Sequence, residues 1–178
     1  LLESRGLGDV YKRQQYAKDT ALSKNGKFVF SGENSLEGGM YLVVLPDQKW
    51  FDIVISEQKF KFKTSLNNLV SDMKFTNSKE NTPFYSYLNY INSKQQEINP
   101  IREKLKTASA EENKKLKARQ EKIDKEVMAY RESFLKRNPD IFFSKVIKAT
   151  IDPIIPEAPK DKNGKIDETF AFRYYKNC

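Results

Sequence analysis

The sequence predicts an α+β fold: a small antiparallel β-sandwich, then a long antiparallel helical hairpin and a third helix. Three observations carry this. Short runs rich in strand formers, separated by turn residues, fill residues 15–78. Near residue 80 the spacing of apolar residues changes from two to three and four. A second run with helical spacing then follows a helix-start signal, and two long helices with a short connection must run antiparallel.

Taken in order, residues 1–14 are set aside as a sequence artefact or a disordered leader. Arg5-Gly6-Leu7-Gly8-Asp9-Val10-Tyr11-Lys12-Arg13-Gln14 resembles a translated adapter string, and such scars are excluded from fold reasoning. Asn25-Gly26 is a hairpin turn pair and predicts a strand at Lys27-Phe28-Val29-Phe30. Gly38-Gly39 opens the run Met40 to Leu45, Pro46-Asp47-Gln48 is turn chemistry, and Trp50 to Ile55 is the next strand. In Lys59-Phe60-Lys61-Phe62-Lys63 the two Phe share one face and the lysines take the other. Met73-Lys74-Phe75 predicts one more short strand.

The helical region is expected over residues 79–151. Asn81-Thr82-Pro83 is a helix start, with Asn81 as N-cap candidate and Pro in the first turn. Phe84, Leu88, Ile91, Ile98, Ile101 and Leu105 form the apolar stripe, and Pro100 should kink or split it. Ser109-Ala110-Glu111-Glu112 is a capping box for the second helix, whose seam is Leu116, Ile123, Val127, Tyr130 and Phe134. At this length the hairpin would extend roughly 35 Å. Asn138-Pro139 is expected to start the third helix, with Phe142, Phe143, Val146 and Ile147 on one face. Residues 152–178 read as a linker carrying Pro153, Pro156 and Pro159, then the start of a truncated helix.

Composition removes most catalytic chemistry. The chain has 178 residues, no histidine and one cysteine, Cys178. That excludes a Ser-His-Asp triad, a Cys-His pair and zinc sites of the Cys/His type. No Gly-x-Gly-x-x-Gly or Walker-type loop occurs, and Gly38-Gly39 is a turn. Glu111-Glu112, and Glu121, Asp124 and Glu126 among Lys122 and Lys125, read as a solvated helix face with ion pairs. Asp161 to Glu168 loosely resembles a calcium loop, but Phe172 stands where the closing Glu should be. No catalytic, cofactor-binding or metal-binding residue is therefore assigned, and no cofactor is expected. The net charge of +8 favours anionic partners in general. Yet the basic residues Lys114, Lys115, Lys117, Arg119, Lys122 and Lys125 are interleaved with acids, and nucleic-acid binding is not expected.

Several segments together resemble a known architecture. They are Asp19-Thr20, Asn25 to Phe30, Gly38 to Leu45, Phe51 to Ile55, Met73 to Phe75, Asn81 to Phe84, the charged hairpin, Asn138-Pro139, and Asp152-Pro153 through Tyr175. This ensemble resembles the N-terminal domains of unknown function that precede the thioredoxin-like domain in bacterial envelope thiol-disulfide oxidoreductases of the TlpA/ResA kind. The resemblance implies a periplasmic or cell-envelope location and membrane contact only through a lipid anchor. It implies that the redox Cys-x-x-Cys belongs to a later domain. Cys178 is not that cysteine, having no partner here. The expected function is a non-catalytic accessory region that positions a thioredoxin-like domain of the same protein or binds its client proteins. The alternative is a helical-hairpin interaction or assembly module, with the Leu116-to-Phe134 seam pairing between chains.

Overall fold

In a computed structural model, residues 2–4, 16–151, 156, 158–159, 167 and 169–176 are described. The chain divides into two compact units, 1–144 and 145–178, with the boundary inside a helix. The fold is α+β, with antiparallel strand pairs followed by long helices.

In the first unit β1 (Leu2–Ser4), β2 (Tyr16–Asp19), β3 (Gly39–Val44) and β4 (Trp50–Ile55) form one sheet in the order β2-β1-β3-β4. The residues set aside at 1–14 thus contribute β1, and residues 5–15 lie outside the description. β3 and β4 pair antiparallel with Tyr41 opposite Ile53 and Val43 opposite Phe51. Their connection closes through Gln48 N–H to the Leu45 carbonyl at 3.1 Å and Leu45 N–H to the Lys49 carbonyl at 2.8 Å. Pro46 presets the first turn angle and Gln48 takes a positive φ of 58°, the geometry of a three-residue hairpin loop. Tyr41, Leu42 and Val43 are all buried, so β3 is covered on both faces. A second sheet pairs β5 (Lys61–Lys63) with β6 (Lys74–Thr76), with Phe62 opposite Phe75.

The strand expected at Lys27–Phe30 is not formed. Asn25 and Gly26 do make the tight turn, at φ 54° and 71°. The ladder stops at one bridge between Lys24 and Lys27. Phe28 is held instead by its ring, which meets Phe30 at 5.5 Å and Phe62 at 5.7 Å.

Helix α1 (Asn81–Leu105) runs unbroken through Pro100, which overturns the expected split. Pro100 and Gln96, whose carbonyl loses its donor, are both exposed, and water can serve that carbonyl. Helix α2 (Ala110–Arg137) begins with the expected capping box: Ser109 Oγ accepts from Glu112 N–H, and the Glu112 carboxylate accepts from Ser109 N–H at 3.0 Å. The two helices are antiparallel. Tyr90 stacks on Tyr130 at 3.7 Å, Lys94 pairs with Glu126 at 2.7 Å, and Arg119 with Glu97 at 3.3 Å, so partners move in opposite directions along the two helices. The seam faces inward within this chain, with Ile123 and Phe134 1 % and 2 % exposed.

Helix α3 (Phe142–Ala149) begins later than Asn138-Pro139 predicts. Asn138 is occupied in closing α2: its backbone N–H and its Nδ2 both donate to the Phe134 carbonyl at 3.0 Å. Rings link sheet to helices in one core. Phe62, Phe75, Tyr85, Phe84 and Phe143 follow one another at centroid distances of 6.1, 5.1, 5.3 and 4.6 Å, mostly tilted or edge-on.

In the second unit, helix α4 (Phe170–Lys176) is started by Asp167. Its carboxylate accepts from Thr169 N–H at 3.0 Å and Thr169 Oγ1 at 2.8 Å and pairs with Arg173.

Candidate functional site

Several of the polar candidates in the sequence have a structural occupation. Glu112 closes the capping box, and hydrogen bonds from Ser109 hold its carboxyl below the usual range. Glu111 pairs with Lys115 at 3.2 Å, one turn along the helix. Glu126 sits across the hairpin from Lys94. The Lys94 ammonium lowers its pKa, and Glu126, then Glu97, raise that of Lys94. Asp167, from the calcium-like loop, caps α4, while 160–166 and Cys178 lie outside the described residues. Among the described residues no group of three or more His, Cys, Asp or Glu is placed to hold a metal ion. None of their helices is long and apolar enough to cross a membrane.

Buried polar groups serve the fold. Asn81 is fully buried and does not act as the N-cap; Glu80 occupies that position without a side-chain cap bond. The Asn81 side chain instead reaches β4, 27 positions back in the chain. Its Oδ1 accepts from Val54 N–H at 2.7 Å, and its Nδ2 donates to the Val54 carbonyl at 2.7 Å and to Ser78 Oγ at 2.9 Å. One turn on, Tyr85 donates its hydroxyl to the Asp52 carbonyl at 2.8 Å. β4 is the last strand of its sheet, so α1 covers its outer edge and satisfies backbone groups that no strand meets. Burial, then the Asp52 carboxylate, pushes the Tyr85 phenol well above its ordinary range. Glu80, 8 % exposed, accepts from the Phe142 N–H at 2.8 Å, at the start of α3.

Gln58 repeats the device used by Asn81. Its Oε1 accepts from Leu36 N–H at 2.9 Å, and its Nε2 donates to the Leu36 carbonyl at 3.0 Å. A primary amide carries one acceptor and two donors, so it can meet both backbone groups of a single residue.

Among the clefts that described residues form on the first unit are the following two. One, of about 450 Å³, is lined by Leu22, Lys24, Asn25, Lys27, Phe28 and Val29. The other, of about 410 Å³, lies between the loop 64–73 and α1. The loop supplies Asn68, Leu69, Val70 and Ser71, and the helix supplies Asn89, Asn92, Ser93 and Gln96. The four helix residues recur at three and four positions, so they share one face. No charged residue lines this cleft. The loop is tied by Thr64 Oγ1 to the Leu69 carbonyl at 2.9 Å, Ser65 Oγ to Asp72 Oδ2 at 2.5 Å and Asp72 N–H to the Asn68 carbonyl at 3.0 Å. Sequence reasoning missed this cleft. Its signal was the neutral stripe at 89, 92, 93 and 96, interrupting neither the apolar pattern nor the charged one.

Residues 5–84 match the family model described as a domain of unknown function, DUF4369. The match spans every strand from β2 to β6 and the first turn of α1, including Asn81. No curated protein and no solved structure matches the chain significantly.

Proposed function

We propose that this chain is a non-catalytic accessory region of a thioredoxin-family thiol-disulfide oxidoreductase of the cell envelope. It positions the thioredoxin-like domain or binds that domain's client proteins. The observation that carries the reading is the match of residues 5–84 to a domain of unknown function. That match covers the strand and turn segments of the resemblance to TlpA/ResA-type proteins, while its helical segments beyond Phe84 lie outside the match. The polar inventory also supports it: there is no histidine and one cysteine, and Glu111, Glu112 and Glu126 are engaged in a cap and in ion pairs.

The test is the reading frame that encodes the chain. A thioredoxin-like domain with Cys-x-x-Cys encoded after residue 178 is expected, and its absence there would sink the proposal. If the domain is present, deleting 16–144 from the whole protein should leave reduction of a small disulfide unchanged and slow reduction of protein substrates.

A second reading, a hairpin interaction module, is favoured by Met128, which is 59 % exposed on α2. Sedimentation at rising concentration tests self-association, and a strict monomer excludes pairing between copies.

A further inference from the structure

We propose that the cleft between the loop 64–73 and α1 binds the backbone of an extended, uncharged polypeptide segment. This gives the client-binding half of the proposed function a site, and it rests on that reading.

The argument starts from what the lining can recognise. The carboxamides of Asn68, Asn89, Asn92 and Gln96 make no hydrogen bond to another described residue, yet all line one cleft. Each offers an acceptor beside two donors, which is the complement of a peptide unit. The chain already uses this complementarity twice. Asn81 holds both backbone groups of Val54, and Gln58 holds both of Leu36. The cleft presents the same groups open to solvent, with Asn68, Asn92 and Gln96 exposed and Asn89 half-buried.

Three further features select the ligand. The absence of Lys, Arg, Asp and Glu from the lining, in a chain of net charge +8, disfavours an anionic strand that would seek phosphate contacts. The half-buried Leu69 and Val70 give the floor an apolar patch suited to a small side chain. The helix face from Asn89 to Gln96 rises about 10 Å, the span of roughly three residues of extended chain. Both walls are fixed before a ligand arrives, one by helix geometry and one by the hydrogen bonds of the loop, so little ordering cost falls on binding. Among extended polymers with neutral hydrogen-bonding groups, a peptide strand matches the paired donor-acceptor spacing of a carboxamide, as Val54 and Leu36 demonstrate inside the molecule.

The experiment is an amide-resolved NMR titration of the whole chain. The probe is an acetylated and amidated heptapeptide of Ser, Thr and Val. Shifts confined to 68–71 and 89–96 are expected. The triple variant Asn89→Ala, Asn92→Ala, Gln96→Ala should weaken binding at least tenfold with its thermal midpoint unchanged. A peptide of the same sequence with alternate backbone amides methylated should not bind. Equal binding of the methylated peptide overturns the proposal, as does preferential binding of a neutral chito-oligosaccharide at the same amides. Peptide binding that maps elsewhere, such as Leu22 to Val29, overturns the cleft and leaves the client reading standing. No binding at millimolar peptide overturns the cleft, while the reading frame test decides the accessory role separately.

Discussion

At the base of the α1–α2 hairpin, Phe84 and Phe134 are each 2 % exposed, Tyr85 is 3 % exposed and Asn81 is fully buried. Beyond Tyr90 the described residues of the arm bury only Ile98 of α1 and Ile123 of α2. The arm has other ties: Lys94 to Glu97 at 2.8 Å and to Glu126 at 2.7 Å, and Arg119 to Glu97 at 3.3 Å. The same two helices are therefore held by aromatic burial at one end and by partly exposed ion pairs at the other. Burial of rings stabilises strongly and locally, whereas solvated pairs contribute little each and fade with salt. The difference teaches that the base belongs to the global core, while the arm is a local structure that opens at lower cost.

The sharpest way to break that comparison is Phe84→Ala. It removes a ring packed against Tyr85 and Phe143 and should cost about 3–5 kcal/mol in urea denaturation. A loss below about 1 kcal/mol would place the core elsewhere.

Asn81→Ala comes next. It strands the Val54 N–H and carbonyl in a dry site and should cost about 2–4 kcal/mol, from orphaned groups at about 1–3 kcal/mol each. Asn81→Asp should not rescue it, because the new oxygen faces the Val54 carbonyl in place of a donor. Thermal melts of the two variants side by side decide the point.

In the arm, Ser109→Ala removes the capping box and should cost about 1 kcal/mol. Hydrogen exchange should quicken mainly in the first turns of α2, with the amides of 84–90 unaffected. Equal quickening at both ends would make the hairpin one cooperative unit.

The smallest effect is that of pH, and it samples both ends. At the base, desolvation raises the Glu57 pKa, but bonds from Lys79 N–H, Ser56 and Ser78 outweigh it and hold the carboxyl below 4.5. In the arm, Lys94 lowers that of Glu126. A depressed carboxyl binds fewer protons folded than unfolded, so its contribution is full above about 4.5 and lost as pH falls through the folded value. Lys94 and Tyr85 are shifted upward, so their contributions hold below 10.5 and 10.0 and are lost at more alkaline pH. Denaturation midpoints across pH should fall on both limbs. Added salt should flatten the share removed by Glu126→Gln and leave that of Glu57 nearly intact, because the Glu57 partners are uncharged.

The legibility of this molecule in its sequence follows the range of the interactions. The β3–β4 hairpin and the capping box depend on residues a few positions apart, and Pro46-Asp47-Gln48 and Ser109-to-Glu112 spell them out. Asn81 reads locally as an N-cap because its long-range use, on Val54, leaves no local mark. Lys27-Phe28-Val29-Phe30 has the composition of a strand, but its rings find partners on Phe62 without a ladder. Pro100 reads as a break, but it and Gln96, whose carbonyl it leaves without a donor, both lie on the exposed side of the helix, where water serves that carbonyl. The amide cleft was hidden for a further reason. Asn, Ser and Gln have no titratable chemistry, and what sets these apart is convergence with a loop some twenty positions earlier.

The cover that Asn81 and Tyr85 place over β4 also governs how this protein would self-associate. Trp50–Ile55 carries a single charge, no proline, and mostly aromatic or β-branched residues, the composition of a cross-β segment. While α1 is seated, its outer N–H and carbonyl groups at Val54 are spoken for. Opening the arm leaves that arrangement untouched, but detachment of the base bares a ready template for a second copy. Aggregation rates should thus follow the population of base-open molecules, so that Asn81→Ala seeds fibrils under conditions where Ser109→Ala stays clear.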